Sequence, residues 1–369
     1  MTTYRVVRDE EGLHGLRGDW GRLLAMSTNW NVFLTFEWLA IWWRHFGEGK
    51  ELFVVVAKQD GETVGIAPLA ITRCRLLTTL HFLGRPGSDY SDFIWSPEHS
   101  SSLAPLFEFI WSTCDADMVV LEGIREDSAS FQHLASAFEQ MARPVSYKAD
   151  YPCPYLPIVQ DWDTYSRKVR KKLIQDTGRQ IRRLQEQGRL VFDRCLDGEN
   201  AGALVEEMIA QKRARFWATG AKDIFSDGRL AAFYHEVAEE FLPRGWLDLS
   251  YLQLDETVLA VHFGFVYGNR LFYYMPSFRQ EYAVYSPSRL LLSRQLEDAF
   301  ADGLAEFDFL GGADSYKYDW TTEVRKTHSF VGSSERAYPK LVYGLYTKVL
   351  PRLKRARLTQ AVLRRVRRR

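Results

Sequence analysis

Apolar runs separated by turn residues predict the same order of elements twice along the chain. In the first half these elements are strands at 52–57, 63–71 and about 80–83, an irregular loop, a helix over about 98–114 and a strand at 118–121. In the second half they are strands at 249–254, 257–265 and 271–275, a polar loop, a helix over about 287–302 and a strand at 306–310. The turn pair Asp60-Gly61 predicts a hairpin in the first half. The repeated order indicates an internal duplication of one α/β unit.

Helical periodicity dominates the segment between the two halves. A basic helix carries an apolar stripe that consists of Val169, Leu173, Thr177, Ile181 and Leu184. Two further helices are predicted over 201–216 and 230–241, and an N-terminal helical region is predicted around 20–46. Pro152-Cys153-Pro154 is predicted to mark the boundary between the halves, because residues before proline avoid the helical conformation.

The length of 369 residues suits two domains of roughly 150–200 residues, and the 46% share of hydrophobic residues is typical of globular proteins. We predict an α/β fold with mixed sheets and two tandem domains. The predicted divisions are an N-terminal domain over 1–155, a basic linker with the helices of the second half over 156–245, a C-terminal core over 246–340 and a basic tail over 341–369.

A net charge of +1 conceals two basic segments. Residues 348–369 contain ten Lys or Arg and no acid, and residues 166–189 contain nine against two acids. The inner segment is either the solvated face of a core helix or a wall that attracts an anionic acceptor. The tail is either an amphipathic helix on an anionic membrane surface or a disordered arm. Neither segment interleaves aromatic residues with its charges, which disfavours nucleic acid as a partner.

Targeting and cysteine patterns indicate a cytoplasmic protein. No apolar signal segment follows Met1, and no run reaches the 18 or so apolar residues of a membrane span. The cysteines lie far apart in no metal-binding spacing, which predicts reduced thiols without a disulfide framework or a metal site. The basic tail adds the prospect of contact with the inner face of the membrane.

The segment Tyr285-Ser286-Pro287-Ser288-Arg289-Leu290 is the sharpest local signal for a ligand site. Ser286 is a good N-cap residue, and Pro287 fits the first position of a helix. A helix that begins after a strand and an irregular loop presents backbone N–H groups and the positive end of its dipole. This arrangement suits a phosphate or pyrophosphate, and an ordinary capped helix is the alternative.

A second candidate segment follows the last predicted strand, where Gly311-Gly312 precede Tyr316 and Lys317. Active sites of α/β folds gather at the carboxyl ends of strands. Lys317 could hold an anionic substrate or stabilise an oxyanion, and Tyr316 could act as an acid. A plain surface loop is the alternative.

Several spaced pieces together resemble the BioF2-like or CelD-like acetyltransferases of the GNAT superfamily, relatives of the FemAB aminoacyltransferases. The pieces are Phe33-Leu34-Thr35-Phe36-Glu37-Trp38-Leu39, the basic residues 167–173, residues 285–290, and residues 307–312 with Tyr316-Lys317. Their order and spacing carry the resemblance, which spans about residues 20–334. It implies tandem GNAT-like domains, with the acyl donor bound by the second. The family consensus has glycine where this chain has Ser288.

The resemblance implies transfer of an acyl group from a thioester to an amine, with acetyl-CoA or another acyl-CoA as co-substrate and no metal. The candidate bases are His262 and Glu281, and the candidate acids are Tyr285 and Tyr316. The candidate acceptor-binding residues are Arg170, Lys171 and Tyr274. In the first half the equivalent loop, 88–92, is acidic and would repel a pyrophosphate. That half is therefore expected to be a scaffold or an acceptor-binding wall.

The leading prediction is an acyl-CoA-dependent N-acyltransferase that acts on an amino group of a small or envelope-related metabolite. The first alternative is a FemAB-like transferase that uses aminoacyl-tRNA, and the second is a non-catalytic protein that binds a membrane surface or nucleic acid. For an acyltransferase, the strands at Tyr273 and Phe307 are predicted to diverge, with residues 286–289 at the mouth of the gap.

Overall fold

The structure, a computed structural model, describes residues 2–27, 30–140, 143–345 and 347. The chain forms two compact units, each built from separate stretches of sequence. The first unit contains the described residues before 30, residues 49–150 and those from 327 onward. The second contains residues 30–48 and 151–326. The basic tail at 348–369 lies outside the described residues.

The described residues form a mixed set of strands and helices. The strands are β1 Thr2–Val7, β2 Lys50–Leu52, β3 Val54–Gln59, β4 Glu62–Ala67, β5 Leu69–Cys74, β6 Leu77–Phe82, β7 Ile94–Trp95, β8 Met118–Arg125, β9 Val145–Pro157, β10 Leu190–Arg194, β11 Leu247–Leu254, β12 Thr257–Tyr267, β13 Arg270–Phe278, β14 Glu306–Asp308 and β15 Val324–Ser333. The helices are α1 Glu10–Gly15, α2 Arg17–Met26, α3 Phe36–Phe46, α4 Leu103–Thr113, α5 Ala129–Gln140, α6 Trp162–Ser166, α7 Lys171–Gln185, α8 Gly198–Thr219, α9 Arg229–Phe241, α10 Pro287–Ala301 and α11 Ala337–Gly344.

In the first unit, β1-β3-β4-β7 form an antiparallel sheet, and β15-β8-β6-β5-β2 follow one another in a second set of paired strands. The pair β6–β8 is parallel. One face of these strands is apolar and packs on α4, where Phe107 and Ile110 meet Leu80 and Leu121. Burial of this contiguous apolar surface is the main stabilising contribution to the unit.

In the second unit the strand order is β10-β11-β12-β13-β14-β9, and the pair β13–β14 is parallel. Helices α7 and α10 cover one face, since Leu184 of α7 and Leu290 of α10 share a core cluster with Leu252 of β11. Helices α8 and α9 cover the other face, where Gln211 bonds to Ser277 and Tyr234 bonds to Tyr274. The sheet is thereby buried on both sides.

The predicted duplication is visible in the topology. Each unit contains an antiparallel hairpin, at least one further strand, a helix and then a strand that pairs in parallel with an earlier strand of the same unit, β8 with β6 and β14 with β13. These are β3 to β8 in the first unit and β11 to β14 in the second. The mixed α/β fold class is therefore confirmed, and the predicted limits of the four divisions stay a prediction.

Strand β9 runs through Pro152-Cys153-Pro154, where the sequence predicts only a boundary. A proline lacks an N–H but keeps its carbonyl, so a proline at a strand edge can still accept hydrogen bonds. Pro154 O accepts the N–H of Phe309 at 3.0 Å, and Pro152 O accepts that of Gly312 at 3.1 Å. The pattern of apolar residues also misses β1 and β10, whose residues are mostly half-exposed.

Helix α3 belongs to the second unit, although the sequence analysis places its residues in an N-terminal domain over 1–155. Its Trp38 is fully buried and meets Phe233 of α9 and Phe265 of β12 edge-on, with ring centroids 5.0 and 5.5 Å apart. These aromatic partners lie about 200 residues further along the chain. Proximity in sequence therefore misassigns the helix.

Candidate active site

A gap opens between β13 and β14 in the second unit. The two strands pair only at Arg270–Glu306, Leu271–Phe307 and Phe272–Asp308, and β13 then continues to Phe278. After β14 the chain turns away, because Asp308 Oδ1 accepts the N–H of Leu310 at 2.8 Å and Leu310 adopts a left-handed backbone with φ of 58°. Pairing therefore ends one residue before Tyr273, whereas Phe307 is still paired with Leu271. The divergence of the strands at these two residues stays a prediction.

A β-bulge lies on β13 beside this gap. The pairing register of β12 and β13 shifts between Phe263 and Phe265, so that Tyr273 and Tyr274 together face Gly264. The Tyr274 N–H leaves the ladder and donates to His262 Nε2 at 3.2 Å. A Cβ atom at position 264 would lie 2.1 Å from the His262 ring and 2.7 Å from Phe272 O, so this position requires glycine.

The predicted base His262 is fully buried at this bulge. Because its Nε2 accepts the Tyr274 N–H, the ring proton lies on Nδ1, which is 3.2 Å from Asp248 Oδ2. Gln295 Nε2 lies 2.6 Å from the same ring nitrogen and donates to Asp248 Oδ2 at 2.8 Å. Both ring nitrogens are thus occupied, and the role of a base toward a bound amine does not fit. His262 instead positions the bulge.

Asp248 completes this buried network as a carboxylate. Burial opposes its ionisation, but hydrogen bonds from His262 and Ser250 and the charge of Arg194 hold the pKa of Asp248 below its usual range. Ser250 Oγ donates to Asp248 Oδ1 at 2.6 Å. The Asp248–His262 pair is therefore a fixed support under β13.

Helix α10 begins beside the end of β13, as predicted, but its N-cap differs from the expectation. Ser286 adopts a left-handed conformation with φ of 56°, and its side chain makes no capping hydrogen bond. Pro287 occupies the first helical turn as predicted, and Ser288 Oγ donates to Ser277 O at 3.2 Å. Ser286 O accepts the N–H groups of Arg289 and Leu290 at 2.9 and 3.2 Å, and Pro287 has none. The first turn therefore offers an anion the N–H of Ser288 and the positive end of the helix dipole.

Helix α7 lies alongside this helix start and carries part of the basic segment. Arg289 Nη2 is 2.5 Å from Asp176 Oδ2 of α7, and Arg183 of α7 stacks over the ring of Tyr285 at 5.0 Å. The Nε atom of Arg289 is buried, and no described residue accepts a hydrogen bond from it. Leu290 is fully buried in the core, so its side chain contributes packing contacts and does not reach a ligand at the helix start. Tyr285 accepts a hydrogen bond from Gln187 at 2.7 Å.

Lys317 lies in the loop that follows β14 and is only 4% exposed. Its ammonium donates to Gly311 O at 2.7 Å and Leu310 O at 3.3 Å, and Asp314 Oδ2 lies 3.8 Å away. These contacts tie the loop at the edge of the gap into one conformation. Tyr316 beside it is partly exposed, and desolvation together with the charge of Asp314 raises the pKa of its phenol. That shift suits a proton donor rather than a phenolate.

The candidate acceptor-binding residues are separated in the structure. Arg170 pairs with Asp319 beside the Lys317 loop, whereas Lys171 is exposed at the start of α7. Tyr274 projects to the opposite face of the sheet, where its hydroxyl lies 2.9 Å from that of Tyr234. The candidate base Glu281 is exposed in the 3-10 turn Gln280–Tyr285.

Sequence reasoning missed Lys212, a half-buried residue of α8. Desolvation, together with the charge of Arg215, lowers the pKa of its ammonium to about 8, and the charge of Asp314 opposes this shift. No motif surrounds this lysine, and its helix packs on the sheet far from Asp314 in sequence. Only a prediction of tertiary contacts could have identified it.

Among the described residues, no group of three or more His, Cys, Asp or Glu is arranged to hold a metal ion. No disulfide joins the four cysteines, all of which lie in the described part of the chain. No helix within the described ranges is sufficiently long and apolar to cross a membrane.

Comparisons with known proteins agree with this geometry. Residues 168–318 match the acetyltransferase (GNAT) domain family. No curated protein matches the chain by sequence. Among solved structures, FemX has 12% identity and a TM-score of 0.64, with 89% of this chain and 98% of that chain covered. L-PGS from Bacillus licheniformis has 11% identity and a TM-score of 0.53, with 92% and 96% covered.

A tandem GNAT protein from the clavulanic acid biosynthesis pathway is also similar, with 11% identity, a TM-score of 0.50 and coverage of 91% of this chain and 100% of that chain. At such identities the likeness shows a shared fold. The chain is therefore an acyltransferase with an acetyltransferase (GNAT) domain over residues 168–318, and it shares its fold with FemX and with a tandem GNAT protein.

Proposed function

We propose that the chain is an N-acyltransferase that holds an acyl donor at the start of α10, with the reacting acyl group in the gap between β13 and β14. The single observation that carries this proposal is the coincidence of that gap with an uncapped helix start beside α7. Strands that part only at the bulge leave room for a substrate chain. The helix start supplies the N–H of Ser288, the positive end of the helix dipole and the Arg289 side chain for an anionic group.

Acyl-CoA is the proposed donor, and the residues at the helix start fit its pyrophosphate. Ser286 makes no side-chain cap, so the N–H of Ser288 faces the helix start without one. Arg289 has a buried Nε that no described residue uses. Arg183 adds a second cation beside Tyr285. When bound, the thioester supplies an activated acyl carbon, and the protein orients it toward an amine. Asp176 holds Arg289 in place from α7.

Aminoacyl-tRNA is the second candidate donor. Its support is the overlap of this chain with FemX and with L-PGS over about nine tenths of its length. The same gap and the same acyl-transfer chemistry would serve an aminoacyl ester. The basic face of α7, which includes Arg179 and Arg182, would then contact the nucleic acid backbone.

The proposed acceptor is an amino group of a small or envelope-related metabolite, and a lipid-related acceptor is a variant of this proposal because L-PGS shares the fold. Approach from the α8 and α9 face would bring the amine past Tyr274 to the gap. A cytoplasmic location, and contact of the basic tail with the inner face of a membrane, are further parts of the proposal.

Binding of the donors to the full-length protein tests this assignment. We expect acetyl-CoA to raise the melting temperature, and Arg289→Gln combined with Arg183→Gln to weaken CoA binding about tenfold. The loss of one charge-assisted hydrogen bond, about 1.5 kcal/mol, corresponds to that factor. Isothermal titration with acetyl-CoA, a long-chain acyl-CoA and free CoA measures the effect.

The matched control is Arg294→Gln on the exposed side of the same helix, where the arginine pairs with Asp298 at 2.9 Å. It should leave CoA binding unchanged. Titration with aminoacyl-tRNA and deacylated tRNA at several salt concentrations forms the second arm. Tight, salt-sensitive tRNA binding without any CoA binding would reject acyl-CoA in favour of the second candidate.

A further inference from the structure

A groove lies on the face of the first unit's sheet that is turned away from α4. Strands β6 and β8 pair in parallel there, with Thr79 opposite Met118 and His81 opposite Val120. Successive side chains of a strand point to opposite faces of a sheet. These four residues accordingly line the groove, whereas Leu80 packs into the core. The groove has a volume of about 580 Å³, which lies within the usual range for small-ligand sites.

One end of the groove is apolar. Leu77 begins β6 and Met118 begins β8, so both lie at the same end of this parallel pair. Val342 of α11 also lines the groove. None of these three side chains carries a charge. Burial of apolar surface against them would stabilise a bound hydrocarbon chain.

Arg85 lies at the opposite end of the groove. It comes shortly after the end of β6 and meets Gly123 near the end of β8. A Cβ atom at position 123 would lie 1.9 Å from Arg85 Nη2, so the guanidinium rests directly against the backbone of β8. Gly123 also has a left-handed backbone with φ of 83°, which favours glycine. The absence of a side chain at this position therefore fixes where the guanidinium can lie.

The described residues leave most of the donors of Arg85 unused. Nη2 reaches Asp89 O only at 3.5 Å, which is longer than an ordinary hydrogen bond, and no described residue accepts a hydrogen bond from the buried Nε. Arg85 forms no ion pair with any described residue. The side chains of the acidic loop 88–92 do not line the groove. A guanidinium with open donors is a strong partner for a carboxylate or a phosphate.

The charges along the groove also favour an anion. Among the described lining residues Lys50 and Arg85 are cations, and Glu122 is the one carboxylate. His81 is neutral, because its Nδ1 donates to a backbone carbonyl at 2.9 Å and its Nε2 accepts the Thr72 hydroxyl at 2.7 Å. Two cations against one carboxylate attract an anionic ligand and disfavour a cationic one.

We propose that this groove binds a soluble anion with a short apolar chain. The carboxylate or phosphate of the ligand contacts Arg85, and its chain extends toward Leu77 and Met118. The volume suits a single short chain rather than a lipid with two long ones. This inference does not depend on the proposed function, because every lining residue belongs to the first unit and the proposed donor site belongs to the second.

Titration of the full-length protein, labelled with ¹³C at its methionine methyl groups, tests the proposal. The chain has six methionines, and Met118→Leu identifies the Met118 signal. We expect octyl phosphate and octanoate, each kept below its micelle concentration, to shift this signal. Both should bind at least about tenfold more tightly than octanol, octylamine or inorganic phosphate, because only they combine an anion with a chain.

Three variants locate the site. Arg85→Gln should weaken the binding of octyl phosphate about tenfold, since a charge-assisted hydrogen bond is lost. Val120→Phe should block binding, because the ring would fill the groove. The matched control is Arg5→Gln, an exposed arginine on β1, which should leave the affinity unchanged. Melting temperatures establish that each variant is folded.

Three results would overturn the proposal: a Met118 signal that no probe shifts, octanol or octylamine that binds as tightly as octyl phosphate, or a folded Arg85→Gln with unchanged affinity. If Arg85→Gln does not fold, the comparison of the five probes on the wild-type chain decides.

Discussion

Replacing Arg325 by methionine is expected to lower the free energy of unfolding by about 3–5 kcal/mol. The Arg325 side chain is 5% exposed, contacts Glu306, and lies 3.0 Å from Asp308 Oδ2. It also stacks over the ring of Tyr155 at 4.0 Å. Methionine fills much of the volume but removes the cation that contacts both buried carboxylates of β14, of which Glu306 keeps only Arg270 at 3.7 Å as an ion-pair partner. Urea unfolding followed by circular dichroism measures the loss.

Two further variants, one a control and one a rescue, test the cause of this loss. Arg336→Met removes an arginine that is 62% exposed and pairs with Asp115 and Asp117, so it should cost less than about 1 kcal/mol. Adding Glu306→Gln and Asp308→Asn to Arg325→Met should recover part of the stability by removing the two buried negative charges. Equal losses for the two arginine variants would contradict the assignment of Arg325 as the cation of β14.

Replacing Lys317 by methionine should lower kcat about 100-fold, because the loop at the edge of the gap loses the hydrogen bonds that fix its conformation. A displacement of about 1 Å in a catalytic arrangement can cost this factor. Lys317 donates to the carbonyls of Leu310 and Gly311, and the loss of these charged donors should also cost about 2–3 kcal/mol of stability. Acyl-transfer rates measured at a temperature where the variant stays folded separate the two effects.

The matched control for this variant is Lys326→Met, since Lys326 is an exposed lysine on β15. It should alter neither turnover nor stability measurably. If Lys317→Met kept kcat within twofold of the wild type while the loss of stability was confirmed, Lys317 would be a structural residue without influence on the reaction.

Local sequence signals predicted the second unit well. Hairpin turns, β-alternation and the Pro287 helix start depend on neighbouring residues, so β11 to β14 and α10 were all anticipated. The strands β1, β9 and β10 were missed because half-exposed residues and prolines conceal their pattern. Trp38 was placed in the wrong unit because its aromatic partners are distant in sequence.

The features of the candidate site also divide into those that local sequence predicts and those that depend on tertiary contacts. The helix start at Ser286 was predicted, but its left-handed conformation was not, because serine there normally caps with its side chain. His262 was a reasonable base by residue type, yet its burial depends on Asp248 and Gln295, which no local pattern connects to it. Lys212 was missed because its lowered pKa arises from burial and from the charge of Arg215 in the folded chain.

Hydrogen–deuterium exchange of the full-length chain with and without saturating donor tests the central claim most directly. The claim is that the donor binds at the start of α10 and along the unpaired part of β13. We predict slower exchange in peptides that cover 285–291 and 273–278, with the β3–β4 hairpin of the first unit unchanged. Unchanged exchange in both peptides, with protection confined to the equivalent loop 88–92 of the first unit, would contradict it.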